Sequence, residues 1–522
     1  MAKKLKITLL SILTFVVMLT ASFGLSSMFS TSTTAYAMSG NGSESSPYLI
    51  STKADLEAFR NKVNAGETKI CGKLMADINL GGSGSPWTPI GTAIVQYEGL
   101  RYSGTFDGNG HTVSGIYIYD TQGKCPGFFA QIDGATVKNL TISGSITQAY
   151  TEFGRYCGGL VGRATGNFKI INCVNNATVT NRRQDVGGIV GCVSDNGWGN
   201  SKANGVIEDC VNNGNITAGT ITAGGIAGTV SGILTINRCY NTGAIATTTD
   251  YVSYSGGIMA YGPATIKNCY NTGKVTGNSC YVGGIVGDLY GKVENCHNYG
   301  TVAGKIWQGN IWYGAIAGHL KDGATVNNAY YLSGSCAYAG NGKVLSAAEM
   351  KDTSKFSGFD FNAQWEMKNG ANYPTLLPAA PAIINDVNGA TLTYGYTTGG
   401  PSVSATAYDG HTLSYKWYKN TTDSNIGGTI IDGETSATCN IPTGLDAGNY
   451  YFYCVVTSSR STTGRSISTT TDAVEVVVNQ LIVDDMAVSI SNWVYGETPS
   501  EPSVNLTFSA PIIYEYKLRD AD

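Results

Sequence analysis

Charge is what this sequence most conspicuously lacks. Only 13% of its 522 residues are Asp, Glu, Lys or Arg, against about 25% in an average globular protein. Heptads of Ala, Glu, Lys and Leu are absent, which excludes coiled coils and long helical bundles. No CxxC pair exists to hold zinc. The four histidines, His111, His297, His319 and His411, are scattered. No segment after residue 37 is apolar enough to span a membrane. The net charge is −4, and setting aside Lys3, Lys4 and Lys6 leaves 30 basic against 37 acidic residues. That balance argues against nucleic acid as a partner.

Glycine is abundant, at 68 residues, roughly twice the usual share of about 7%. With a Thr-, Ser-, Asn- and Tyr-rich texture it predicts many short strands and tight turns. At the N-terminus, Lys3, Lys4 and Lys6 precede an apolar run from Ile7 to Leu25, and Ala35-Tyr36-Ala37 supplies small residues for cleavage. Residues 1–37 therefore read as a signal peptide, and the mature chain as secreted or surface-borne with no integral membrane segment.

Thirteen cysteines in an exported chain suggest disulfides, but their positions do not. Cys173, Cys210, Cys239, Cys269 and Cys296 recur at one place in a repeat that holds Leu140 before them and Ala329 after. A place that accepts Leu, Cys or Ala is an inward packing position, where a thiol acts as a small hydrophobe. Buried free thiols are expected, with no metal and no cofactor.

The repeat has two halves. Gly158-Gly159-Leu160-Val161-Gly162 returns at 187–191, 224–228, 256–260, 283–287 and 314–318, with a degenerate first copy at 126–130. The second half reads Ile266-Lys267-Asn268-Cys269-Tyr270-Asn271 and has relatives from Ile171 to Val302. Apolar residues alternate with small or polar ones, and Gly and Asn at fixed offsets mark turns. Units of about 31 residues cannot bury a core alone, but stacked units can, which predicts a parallel β-solenoid. Asn175, Asn212, Asn241, Asn271 and Asn298 are then expected to form a ladder at a turn, in left-handed geometry, bonded rung to rung.

With these residues in view the sequence resembles the bacterial surface proteins that carry the GLUG motif. The core reads Gly159-Leu160-Val161-Gly162 here, and Gly188-Ile189-Val190-Gly191 with Ile for Leu; the lead-ins are Trp87 to Gly91 and Gly104 to Val113. The resemblance spans roughly residues 44–378. It implies a right-handed, pectin-lyase-like β-helix on a secreted or cell-wall protein. Some relatives join such repeats to metallopeptidase domains that cleave immunoglobulin; this chain has no HExxH, so that activity does not carry over.

The expected division is a signal peptide at 1–37, an N-terminal cap at 38–98, a GLUG-repeat helix at 99–345, a C-terminal cap at 346–378, a linker at 379–381, an Ig-like β-sandwich at 382–479 and an incomplete second Ig-like repeat at 480–522. Thr52 with Asp55 three residues on predicts a capped helix burying Leu56, Phe59 and Val63. Phe359, Phe361, Trp365 and Tyr373 are expected to seal the last coil. In the sandwich, Trp417 resembles the core Trp of an Ig-like strand and Asp446-x-Gly448-x-Tyr450 a tyrosine corner. Phe452 stands where an Ig cysteine is expected, which leaves a Cys439–Cys454 bridge open. Tyr495-Gly496, Pro502 and Val504 repeat Tyr394-Gly395, Pro401 and Val403, and the chain stops about halfway through that second sandwich, so a truncated module is expected. The fold class is all-β.

For function, three readings stand side by side: a non-catalytic adhesin, a polysaccharide lyase or glycoside hydrolase on the β-helix, and a purely structural wall stalk. The place after each GGxxG holds Arg163, Cys192, Thr229, Tyr261, Asp288 and His319, not the acidic row that sugar chemistry uses. Loops expected at 192–206, 246–255 and 303–313 carry Trp198, Tyr251, Tyr254, Trp307 and Trp312. Such rings either stack on a host or matrix glycan or protein, or cover edges of the helix. The adhesin is the leading reading, with no enzyme activity, and a monomer is the expected assembly.

Overall fold

A computed structural model describes residues 38–92, 99–150, 156–194, 203–278, 281–306, 310, 312–338, 340–361, 364–377, 383–407, 412–459, 466–480, 488–489 and 503–504. The expected signal peptide and most of the second sandwich repeat lie outside the described residues.

The chain enters through an α-helix, Lys53–Asn64. Thr52 caps it: its hydroxyl accepts from the Asp55 amide at 3.2 Å, and the Asp55 carboxylate returns to the Thr52 amide at 2.9 Å. Two orphan amides are satisfied in this way. Leu56, Phe59 and Val63 are buried, and Phe59 meets Tyr102 and Phe106 edge-on.

From there the chain winds into a parallel β-solenoid of about 8 turns. Every rung pairs in register with the next. Ile170 lies over Val137 and beside Ile207, Ile236 over Ile266, and Val293 over Val326. Three strand columns per turn belong to one long sheet; the others form a six-stranded and a seven-stranded sheet. Because the rungs repeat, like side chains stack into ladders. Cys173, Cys210, Cys239, Cys269 and Cys296 form one, all buried and all free thiols, flanked by buried Leu140 and Ala329. Burial pushes the thiols of Cys173, Cys239 and Cys296 well up.

The Asn ladder is present, and one property expected of it belongs to a different row. Nδ2 of Asn175, Asn212, Asn241 and Asn271 donates to Oδ1 of the next Asn at 2.7–2.8 Å, in the dry interior. These residues sit in strands, not in left-handed geometry. The left-handed row stands three residues earlier: Asn139, Asn172, Asp209, Arg238, Asn268, Asn295 and Asn328, with φ from 49° to 56°. It also bonds between rungs at two places where Asn follows Asn, from Asn172 to Asn139 at 2.9 Å and from Asn328 to Asn295 at 3.0 Å. The short Asn side chain tolerates this backbone.

The aromatic segment after the last turn also departs from expectation. Residues 346–377 form two 3-10 turns, Glu349–Lys351 and Thr353–Lys355, and then run back along the flank of the solenoid. Phe356, Phe359 and Trp365 pack on an outward row of Tyr240, Tyr270, His297 and Tyr330. Tyr240, Tyr270 and His297 stack in sequence at 4.7 Å and 5.1 Å. Farther back, Arg238 donates to the Gln364 and Leu377 carbonyls at 3.2 Å and 2.6 Å. The segment is a strap across successive rungs, where its rings meet the outward ring row and Arg238 bonds its far end.

C-terminal to this, Thr412–Asn420, Gly448–Ser459, Val474–Asn479 and Ser402–Thr406 lie where alternation predicts strands. Gly448–Ser459 pairs antiparallel with both Thr412–Asn420 and Val474–Asn479, whereas Ala390–Thr393 joins Val474–Asn479 in parallel. Ile383–Asn388 pairs with Ser402–Thr406, and Ser402 bridges Thr438. Trp417, Phe452, Cys439 and Cys454 share the core. The Tyr450 hydroxyl donates to the Asp446 carbonyl at 3.0 Å. Cys439 and Cys454 are free, and burial pushes them up to about 12 and about 11.

Candidate functional site

Each GGxxG carries the chain from the six-stranded sheet into the seven-stranded one, and its glycines are demanded by close approach. A Cβ on Gly187 would stand 2.0 Å from the Val190 carbonyl oxygen, and one on Gly224 1.8 Å from that of Ala227. The second glycine lies over the Asn ladder: at Gly225 a Cβ would meet the Gly257 oxygen at 2.0 Å and the Asn241 side chain at 2.7 Å. In the last copy this place is Ala315. There the register partner of Asn298 is Tyr331, and no further rung of these two sheets follows.

The corner brings two outward rows face to face, the residue two places before the first glycine and the residue after the last. Within one rung, the Thr222 and Thr229 hydroxyls are 3.1 Å apart. One rung on, the Tyr254 and Tyr261 rings are 4.7 Å apart, and Trp312 and His319 stand at 4.9 Å. The result is a cleft along the solenoid axis. One wall is Tyr156, Asp185, Thr222, Tyr254, Tyr281 and Trp312; the other is Arg163, Cys192, Thr229, Tyr261, Asp288 and His319.

Its two ends differ in chemistry. At the first, the buried Arg163 donates to Ser194 at 2.8 Å and to Gln131 at 3.2 Å. Asp185 accepts from both Thr222 and Thr229 at 2.7 Å. These polar groups satisfy one another out of water, as buried polar groups must. At the second end the walls are half-buried rings. Tyr254 stacks on Tyr281 at 4.9 Å, Tyr281 meets Trp312 at 5.3 Å, and the Tyr261 and Tyr290 hydroxyls are 3.0 Å apart. That hydroxyl bond, with burial, pushes Tyr261 up to about 12. Beneath them Asp288 Oδ1 lies 2.8 Å from His319 Nδ1. The Asp288 side chain is 2% exposed and that of His319 24%, so the imidazole, not the carboxylate, is what a ligand meets. Tyr281 holds a left-handed backbone, φ 58°, costly for a bulky residue.

Of the ring residues singled out from sequence, Tyr254 and Trp312 lie in the wall. Tyr251 is 79% exposed beyond it. Trp198 and Trp307 lie outside the described residues. Sequence reading missed Tyr281, and took Tyr261, Asp288 and His319 as one row without its facing partner. The signal was available as the residue two places before each GG pair. Among the described residues no group of three His, Cys, Asp or Glu is placed to hold a metal. No described helix is long and apolar enough to cross a membrane.

Comparison with known proteins gives a family match, two relatives and a solved structure. The family described as "The GLUG motif" matches residues 154–180, the stretch containing the first full GGxxG corner. Halomucin of Haloquadratum walsbyi is 31% identical over 160 residues, covering 29% of this chain and 2% of that protein. A candidate Gly-rich membrane protein of Evansella cellulosilytica is 33% identical over 135 residues, covering 24% of this chain and 14% of its own length. The matches thus span a small part of either relative. A solved structure, of a candidate immunoglobulin A1 protease from Bacteroides ovatus, is similar at a TM-score of 0.43 and 22% identity over 65% of this chain and 95% of that one. The chain carries the GLUG motif, and carries it as the corner of a parallel β-solenoid.

Proposed function

We propose that this is a secreted or surface-displayed adhesin, non-catalytic, which presents the solenoid cleft to a host or matrix glycan or protein and uses Ig-like sandwiches as spacers. The observation that carries this reading is the aromatic half of the cleft: Tyr254, Tyr261, Tyr281 and Trp312 are only half-buried on the outside of the solenoid. Rings with polar tips at a surface are suited to binding. The motif match and the names of the two relatives support a surface protein. The sandwich core around Trp417 and the Tyr450–Asp446 bond support the Ig-like assignment.

A second reading, a polysaccharide-active enzyme, is favoured by one observation, the Asp288–His319 pair at 2.8 Å. Glycoside hydrolysis ordinarily uses two carboxylates that both reach the sugar. Asp288 is covered, and Asp185 is held by two threonines at the other end of the cleft. One experiment separates the readings. Purified protein is applied to immobilised acidic and neutral polysaccharides and to matrix proteins, with retention and soluble oligosaccharides both measured. Retention without soluble products is expected. Protein-dependent release of oligosaccharides would replace the adhesin with the enzyme.

A further inference from the structure

Trp312 ends the stacked row of the cleft. Tyr254 and Tyr281 spend ring faces on each other, so they show a ligand mainly edges and hydroxyls. Trp312 meets Tyr281 at 45° and His319 at 74°. The strand after it, Tyr313–Gly314, is the last of its sheet among the described residues, and none of these adds a further rung on the indole. Tyr338 packs edge-on against Tyr313 at 4.9 Å. Among the described rings of the row, Trp312 therefore has a face left to offer.

Beside it, the Asp288 carboxylate accepts a hydrogen bond from Nδ1–H of His319, the tautomer in which Nε2 carries the lone pair. The local charges are balanced: Asp288 lies beneath, and Lys321 reaches over the Tyr290 ring at 5.7 Å. A cationic ligand would need a carboxylate it can touch, and Asp288 is 2% exposed. An acidic ligand would sit above that buried negative charge. An uncharged ring bearing hydroxyl donors meets neither objection.

We infer that the Trp312 end of the cleft is a subsite for a neutral pyranose, whose apolar face stacks on the indole while one sugar hydroxyl donates to His319 Nε2. This deepens the adhesin reading and rests on it. In it, Asp288 is a positioning residue that fixes the imidazole tautomer.

The test uses the full chain and four probes: cellohexaose, xylohexaose, chitohexaose and hexagalacturonate, titrated by calorimetry. At least one of the three uncharged hexaoses is expected to bind. Trp312→Ala should then weaken it by about tenfold or more, Trp312→Phe should restore part of the loss, and His319→Ala should weaken it less than Trp312→Ala. Each variant is first shown to melt like the parent. Tightest binding of hexagalacturonate would overturn the inference, as would an affinity that Trp312→Ala leaves unchanged, or failure of every uncharged hexaose. The last two results, with retention on other polysaccharides or matrix proteins intact, would remove this subsite and leave the adhesin standing. Release of oligosaccharide would remove the adhesin instead.

Discussion

Because Nε2 of His297 donates to the Pro374 carbonyl, 2.8 Å away, the lone pair on Nδ1 is left inside the aromatic cluster with no donor. Protonation would put a charge and a second N–H where no acceptor waits. Burial accordingly pulls the imidazole down to about 4, against a smaller upward pull from the Pro374 bond. A histidine neutral in the fold but protonated when released makes stability fall with acidity. Its contribution is whole above pH 6.5 and drains away between there and about pH 4. On the same face, Asp209 is pushed up to about 6 by burial, with Arg238 opposing, and it works in the other direction, favouring the fold as pH falls. The strap also carries Glu349, Lys351, Asp352, Lys355, Asp360, Glu366 and Lys368, and Lys343 lies over the Tyr330 ring. The comparison that isolates His297 is therefore parent against His297→Phe. Between pH 7 and 4 the parent should lose about 3 kcal/mol more than the variant, read from denaturant midpoints; equal slopes would refute the assignment. The role of this residue was half legible. Its alignment with Val and Tyr in other units reads as either packing or surface, and nothing local in the sequence shows that a segment 77 residues away covers it.

Among elements, the N-terminal helix and the strap show what local signals can convey. Thr52, Asp55 and the spacing of Leu56, Phe59 and Val63 state a helix, its start and its buried face within a dozen residues, and each part was readable. The strap has no such grammar. Its aromatics declare only that they will be buried, and two apolar targets were open to them. Besides the ring row, the flank offers Arg238, which occupies the left-handed position where other rungs have Asn or Asp. Its guanidinium bonds Asp209 at 2.6 Å, the Gln364 carbonyl and side chain at 3.2 Å and 2.8 Å, and the Leu377 carbonyl at 2.6 Å. Arg238→Ala would strand two carbonyls and a half-covered carboxylate, a loss on the order of 3 kcal/mol. It should fall on the strap, whose far side faces solvent, more than on the rungs. Limited proteolysis is expected to cut within residues 346–377 at least about tenfold faster in the variant, while the far-ultraviolet spectrum of the solenoid is kept. Unchanged cleavage would mean that the aromatic cluster holds the strap alone.

In the whole molecule the repeat turns single residues into continuous columns, and this makes the interior legible from sequence while the cleft is only partly so. An inward column must satisfy every rung at once, so its members agree in type: Cys, Ile and Asn recur and identify themselves. The two cleft walls answer to solvent or a ligand, so they vary from Arg163 to His319 and from Tyr156 to Trp312, and no repeating letter marks them. The GG corner that builds the cleft is visible; what it displays is not. The same continuity governs the thiols. Each ladder sulfur from Cys239 to Cys296 accepts the backbone N–H of the preceding ladder Cys at 3.4 Å, and each lies beneath other strands, with the thiolate disfavoured where burial pushes the thiol up. Reaching any one of them requires opening several rungs, since a solenoid unfolds through its neighbours. Cys173, Cys210, Cys239, Cys269 and Cys296 should thus stay unmodified by an aromatic disulfide reagent in native buffer, and react together in guanidinium. Peptide mapping of the native protein should find no disulfide among them, even though it is exported through oxidising surroundings under the surface reading. A bridge within the row, or native labelling as fast as that of the unfolded chain, would show that the column is not a dry, closed interior.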